Sequence, residues 1–193
     1  IYKTTAYQFN NTEHAANLFG LKEFGNIYSR LGNPTVGALE ARLTALEGGA
    51  MSVALASGTS AVMYSLINIM SQGDNFISAS QLYGGTYTMF DNILPEYGIN
   101  AKKVDITDLK AVEDSIDEKT RAVYCETVTN PGLVVADVTA LSEIAHKHGI
   151  PLIVDATFTT SAIQKSFDFG ADIVVYSLTK WMSGHGRVIA GAV

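Results

Sequence analysis

The sequence is poor in cysteine and in positive charge, and each shortage excludes a class of protein. A single cysteine, Cys125, among 193 residues excludes an intramolecular disulfide framework and a multi-cysteine zinc site. Thirteen lysines and arginines stand against 19 aspartates and glutamates, giving a formal net charge of −6. This balance argues against nucleic-acid binding, which depends on clustered cations. Histidines and carboxylates do not cluster, so no metal site is predicted.

Long apolar runs and targeting signals are also missing. Asp155 and Asp172 interrupt the most apolar stretches, so no segment is long enough to span a bilayer and no membrane association is expected. No basic segment followed by an apolar one opens the chain. We therefore expect a soluble protein in a reducing, cytoplasmic compartment. The first residue is Ile1 and Val193 ends an apolar run, so part of a longer chain is expected.

Two regions differ in pattern. Residues 1–33 are polar and aromatic without a period, which predicts an irregular arm and loop. Residues 34–193 alternate apolar strands with helices, beginning with a helix capped by Asn33, opened by Pro34 and stopped at Gly48. The main predicted strands are 52–57, 75–80, 101–104, 121–126, 151–156 and 172–177, with helices at 85–97 and 108–116 among those between them. This alternation predicts a three-layer α/β/α fold with a mainly parallel sheet.

Ligands of such sheets bind beyond the carboxyl ends of the strands, where Lys180 and Asp155 both lie. Lys180 follows an apolar strand with hydroxyls before it, so it could have a lowered pKa and form a Schiff base, or simply extend to water. Asp155 ends another apolar strand, where it could hold a protonated heteroaromatic nitrogen or cap the next segment. The two residues together favour the functional interpretation.

Several other polar residues follow predicted strands or lie in the arm. Ser57-Gly58-Thr59 opens a helix and suits a phosphate, although a plain N-cap explains it too. Neither a P-loop nor a G-x-G-x-x-G motif occurs, which weighs against ATP and NAD. Tyr83 lies beside two glycines and could stack on a ring or pack at a rim. Tyr28 with Arg30 could bind phosphate or form an exposed pair. Asn130, before a proline, offers an amide donor or a turn.

Cys125 and His185 are assigned structural roles. Cys125 lies in the middle of an apolar strand and is expected to be an inert core residue. His185 falls in the sequence Ser183-Gly184-His185-Gly186, without a carboxylate at a spacing suited to catalysis. Neither residue is therefore a candidate for the chemistry.

Seven segments together resemble one family. They are GNIYSRLGNPT (25–35), LEARLTALEGG (39–49), ASGTSA (56–61), LYGGT (82–86), ETVTNP (126–131), PLIVDATF (151–158) and SLTKWMSGHG (177–186). In this order they resemble the Cys/Met-metabolism family of pyridoxal-phosphate enzymes, which has the aspartate-aminotransferase-like fold. The stretch NLFGLKEFGNIYSRLGNPT is most similar to the O-acetylhomoserine sulfhydrylase branch.

The resemblance implies a role for each candidate residue. Lys180 would bond covalently to pyridoxal 5′-phosphate and then transfer protons, Asp155 would hold the ring nitrogen protonated, and Tyr83 would stack on the ring and assist elimination. The phosphate would be bound by Ser57, Gly58, Thr59, Ser177 and Thr179, with Tyr28 and Arg30 reaching it in a neighbouring subunit. Asn130 would lie by the phenolic oxygen of the ring.

The resemblance also implies a reaction and an assembly. The expected reaction replaces the acetate of O-acetyl-L-homoserine with sulfide or a thiol, giving homocysteine or methionine. The alternatives are a cystathionine or methionine γ-lyase, and a non-catalytic module that only binds cofactor or oligomerises. Methionine γ-lyases typically carry cysteine where Gly85 stands, and Ala156 replaces the usual asparagine after Asp155. A dimer as the catalytic unit, within a tetramer, is expected, and residues 34–193 would be the large domain without the family's C-terminal domain.

Overall fold

Seven strands form one mixed sheet in this computed structural model, which describes residues 1–193. The strands are β1 (Ala54–Leu55), β2 (Asn75–Ala79), β3 (Asn100–Val104), β4 (Thr120–Glu126), β5 (Leu152–Asp155), β6 (Ile173–Ser177) and β7 (Gly191–Ala192). Their order across the sheet is β1-β7-β6-β5-β4-β2-β3. β3, β2, β4, β5 and β6 are parallel, and β7 runs antiparallel to both β6 and β1. The predicted α/β fold with a mainly parallel sheet is confirmed.

The helices are α1 (Thr12–Phe19), α2 (Pro34–Glu47), α3 (Gly58–Ile67), α4 (Gly84–Thr88), α5 (Leu109–Asp114), α6 (Val138–Lys147) and α7 (Thr160–Ile163). The predicted ends of α2 are confirmed. The Asn33 side chain accepts a hydrogen bond from the Thr35 N–H, Pro34 occupies the first turn, and Gly48 terminates the helix in the left-handed conformation. None of the helices combines the length and apolar character that crossing a bilayer requires.

Two local predictions are wrong. The arm is not wholly irregular, because α1 forms within it, capped by Asn11. Its apolar residues follow helical spacing, but eight residues with one buried side chain, Leu18, form too short a pattern to distinguish from a loop. The predicted helix over 85–97 is broken into α4, a π-helical turn at Met89–Ile93 and a 3₁₀ turn at Leu94–Tyr97. Pro95 lacks an N–H, which disfavours a continuous α-helix there.

The core lies between the sheet and its helices. A cluster of 33 buried apolar residues fills it, and β4 is buried along its length except at Arg121. Phe90 packs edge-on against Phe76 and Tyr124, with ring centroids 4.8 and 5.1 Å apart. Such edge-to-face packing adds to the free energy gained by removing the rings from water. This packing fixes the positions of the central strands, and the loops that form the site leave the carboxyl ends of these strands.

Candidate active site

A cavity of about 650 Å³ opens at the carboxyl edge of the parallel strands. Nine of the eleven residues predicted for the site line it: Ser57, Gly58, Thr59, Tyr83, Asn130, Asp155, Ser177, Thr179 and Lys180. They come from five separate strand ends, which the strand order of the sheet brings together. The volume suits a small cofactor with an amino-acid substrate.

The N-terminus of α3 forms one wall of the cavity against the end of β6. Ser57 caps the helix by accepting a hydrogen bond from the Ser60 N–H at 3.1 Å. The N–H groups of Gly58 and Thr59 belong to the first turn, which has no carbonyl partners within its own helix. A methyl group on Gly58 would lie 2.5 Å from Ser177 Cβ, so glycine is required where the two segments touch. Free N–H groups, the helix dipole and two hydroxyls form an anion-binding wall.

Thr157 was not among the predicted residues, yet it joins two parts of the site. Its hydroxyl accepts a hydrogen bond from the Ser177 N–H at 2.7 Å, and its own N–H donates to Asp155 Oδ1 at 2.9 Å. Thr179 makes a similar link, its hydroxyl accepting from the Ala190 N–H at 3.1 Å. Thr157 therefore links the ends of β5 and β6, whereas Thr179 links the turn after β6 to the residue before β7.

Asp155 presents a carboxylate without a cation. Burial raises its pKa, and hydrogen bonds from Thr157 and from the Tyr124 hydroxyl, 3.4 Å from Oδ2, partly oppose that rise. No lysine, arginine or histidine forms an ion pair with it. A buried carboxylate gains most from a cationic partner, so a protonated ring nitrogen fits this position.

Lys180 lies across the cavity in a tight turn that follows β6. Its N–H donates to the Ser177 carbonyl at 3.2 Å, and its carbonyl accepts from the Gly184 N–H at 3.0 Å. Lys180 is exposed, lines the cavity and forms no ion pair. An unpaired amine on the wall of a cavity fits condensation with an aldehyde.

Tyr83 and Asn130 lie on loops that follow β2 and β4. Glu126, at the end of β4, accepts the Tyr83 N–H with Oε1 at 2.7 Å and the Asn130 N–H with Oε2 at 3.0 Å. A methyl group on Gly85 would lie 2.7 Å from the Tyr83 ring, so the ring packs closely on that glycine. Glu126 also lines the cavity and ends an apolar strand just as Asp155 does, but the sequence motifs assign it no individual role.

Tyr28 and Arg30 are not brought to the cavity. The Arg30 guanidinium carbon lies 5.3 Å from the centroid of the Tyr28 ring, and both side chains are exposed. Cys125 is fully buried, which confirms its predicted core position, and burial raises its pKa to about 12. His185 does not line the cavity, and its Nδ1 lies 3.1 Å from the Ser183 carbonyl oxygen. No three metal-ligating side chains assemble anywhere in the chain.

The chain is thus an α/β protein in which a lysine, a carboxylate and the N-terminus of a helix surround one cavity. The sequence model of the Cys/Met metabolism PLP-dependent enzymes matches residues 1–193. The chain belongs to that family, as the seven sequence segments predicted.

Known proteins that are similar to this chain over its whole length carry names from the same family of enzymes. The O-acetyl-L-homoserine sulfhydrylase of Leptospira meyeri is 47% identical over 193 residues, which are 100% of this chain and 44% of that protein. A crystal structure of a putative O-acetylhomoserine (thiol)-lyase from Campylobacter jejuni, containing N′-pyridoxyl-lysine-5′-monophosphate, has a TM-score of 0.96 at 44% identity, over 100% of this chain and 47% of that one. Cystathionine gamma-lyase from Lactobacillus plantarum, complexed with L-serine, has a TM-score of 0.90 at 36% identity, over 100% and 48%. The chain thus spans about half the length of the relatives it matches.

The titration of Glu126 gives a testable pH dependence. Burial chiefly, and repulsion from Asp155, raise its pKa from 4.5 to about 7, against the two hydrogen bonds that it accepts. The folded chain therefore keeps a proton that the unfolded chain releases, so this group lowers the free energy of unfolding as pH rises from 4.5 to about 7. We expect the cofactor-free protein to lose about 3 kcal/mol over this interval relative to Glu126→Gln. Urea unfolding at several pH values measures this difference. If the free energies of unfolding of the two proteins changed with pH by the same amount, the prediction would be contradicted.

Proposed function

We propose that the intact protein is a pyridoxal-phosphate-dependent enzyme that replaces the acetate of O-acetyl-L-homoserine with sulfide or a thiol. The observation that carries the proposal is the convergence of Lys180 and Asp155 on one cavity beside the N-terminus of α3. The choice of substrate is supported by the 47% identity to the O-acetyl-L-homoserine sulfhydrylase of Leptospira meyeri.

The cofactor is expected to lie with its phosphate at the wall formed by α3 and β6. The groups proposed to bind that phosphate are Ser57, Gly58, Thr59, Ser177 and Thr179. Asp155 would hold a proton on the ring nitrogen, Tyr83 would pack on the ring face, and Asn130 would lie near the phenolic oxygen. When bound, pyridoxal phosphate supplies an aldehyde for amine exchange and a ring that withdraws electrons from substrate carbon.

Lys180 performs the proton transfers. When not bonded to the cofactor, its amine would remove and return protons at substrate carbons. Tyr83 assists departure of the group at the γ-carbon. The balanced outcome is O-acetyl-L-homoserine plus hydrogen sulfide giving homocysteine plus acetate, or methionine where methanethiol replaces hydrogen sulfide.

A cystathionine or methionine γ-lyase is the second candidate, because the Lactobacillus plantarum cystathionine gamma-lyase shares the fold at a TM-score of 0.90. Gly85 disfavours the methionine γ-lyase branch. Any side chain at position 85 would displace the Tyr83 ring, so a cysteine there requires a different ring position. A module that binds the cofactor without turnover is the third candidate.

The assembly is proposed to be a homo-oligomer in the cytoplasm, with a dimer as the catalytic unit and a tetramer as the complete form. Exposed apolar side chains are concentrated in the arm, residues 1–33, and include Phe19, Leu21, Phe24 and Leu31. Such a surface gains free energy when a second subunit covers it. We infer that the arm carries Tyr28 and Arg30 to the phosphate of a neighbouring subunit, because neither lines the cavity of its own chain.

The substrate proposal predicts the products of the intact protein. With O-acetyl-L-homoserine and sulfide we expect homocysteine and acetate in equal amounts, identified by mass spectrometry. Lys180→Ala, the matched control, should reduce turnover at least about a thousandfold, because the group that transfers protons is lost. Formation of α-keto acid and ammonia from cystathionine, with no homocysteine from acetylhomoserine, would favour the γ-lyase.

The subunit proposal predicts complementation. Lys180→Ala and Arg30→Ala should each be nearly inactive alone, whereas a one-to-one mixture that has exchanged subunits should recover about one quarter of wild-type activity. Half of the dimers are then mixed, and each mixed dimer contains one site with both Lys180 and Arg30. If both residues belonged to one chain's site, the mixture would remain as inactive as its components.

A further inference from the structure

Glu126 has no part in the chemistry proposed above, although its environment is unusual. It is 5% exposed, and the Cα register between β4 and β5 places it directly beside Asp155. Two carboxylates with raised pKa values are therefore neighbours at the carboxyl edge of the sheet. A fold that only needed to fill this space would use an apolar residue, because burying a second carboxylate beside the first is costly.

We propose that Glu126 is a positioning residue that fixes the Tyr83 and Asn130 loops relative to each other on the cavity wall, using one carboxylate oxygen for each loop. We call this link between the two loops the clamp. The clamp itself rests on the two hydrogen bonds, whereas its importance for the cavity rests on the proposed function. The 2.7 Å bond to the Tyr83 N–H and the 3.0 Å bond to the Asn130 N–H join loops that are 43 and 4 residues from Glu126.

No other side chain accepts a hydrogen bond from each of the two loops. Tyr83 begins α4 without a side-chain cap, and the Asn130 N–H is bonded to Glu126 alone. The carboxylate matters because both of its oxygens accept hydrogen bonds, whereas glutamine offers one acceptor and turns an NH₂ group toward the second N–H. Bonds to a charged acceptor are also the stronger ones. The clamp therefore explains why an ionisable group is retained at a site where burial penalises its charge.

Amide hydrogen exchange in the intact, cofactor-free protein, measured above pH 7 where Glu126 is ionised, tests the clamp directly. We expect slow exchange at the Tyr83 and Asn130 N–H groups of the wild type, and at least about tenfold faster exchange at one or both in Glu126→Gln. The dissociation constant for pyridoxal phosphate should rise about tenfold as well, and the visible circular dichroism of the bound cofactor should change, because Tyr83 shifts against the ring.

Glu47→Gln is the matched control. Glu47 is also 5% exposed and accepts a hydrogen bond from the Tyr176 hydroxyl at 2.8 Å, but it does not line the cavity. Its replacement should leave the exchange of both amides, the cofactor dissociation constant and the dichroism unchanged. A control that altered them as strongly as Glu126→Gln would show that general destabilisation, not the clamp, is responsible.

Two results would overturn the clamp. Free exchange at either amide in the wild type would contradict it without any variant, even if Glu126→Gln failed to fold. Unaltered exchange and cofactor affinity in a folded Glu126→Gln would contradict it as well. A wild type that did not bind pyridoxal phosphate would instead refute the proposed function, and the exchange of the cofactor-free protein would still decide on the clamp.

Discussion

The parallel register of β4, β5 and β6 determines where the polar groups of the site lie. Glu126 pairs with Asp155 across β4 and β5, and Asp155 pairs with Val175 of β6, two residues before Ser177. Because successive side chains of a strand alternate between faces, a slip of one residue would turn a carboxylate away from the cavity. The packing of Phe76, Phe90 and Tyr124 joins β4 to β2 and to the helical turn that covers them. The register of these strands therefore determines both which side chains enter the apolar core and which polar groups face the cavity.

The same edge of the sheet concentrates groups that are costly to bury. Asp155 and Glu126 both have raised pKa values, and neither forms an ion pair within the chain. A cationic ring nitrogen would relieve the cost at Asp155, and two backbone N–H groups partly relieve it at Glu126. These carboxylates lower the stability of the fold at this edge, but they place polar groups around the cavity. This is the usual relation between an active site and its fold.

Much of this arrangement follows from sequence alone, because apolar strands make their polar ends conspicuous. Lys180 and Asp155 stand at such ends, and the structure brings them to one cavity. Glu126 gives the same signal, but only its hydrogen bonds to the Tyr83 and Asn130 loops indicate what it does. Thr157 gives no signal, because threonine after a strand is ordinary.

Other features depend on contacts that no local pattern encodes. β7 has two residues, Gly191 and Ala192, and exists because it pairs with β6 and β1 on either side. The eight residues of α1 bury only Leu18, so the apolar pattern of this helix is too short to predict it. The role of Arg30 depends on a second subunit, which the folding of one chain does not specify.

The central claim is that Lys180 anchors the cofactor in a cavity built from five strand ends. Borohydride reduction of the intact protein loaded with pyridoxal phosphate, followed by peptide mass spectrometry, tests it most directly. The account predicts a phosphopyridoxyl group on the peptide that contains Lys180, and no labelled lysine in Lys180→Ala. A stable label on a different lysine of the wild type, with Lys180 unmodified, would contradict it.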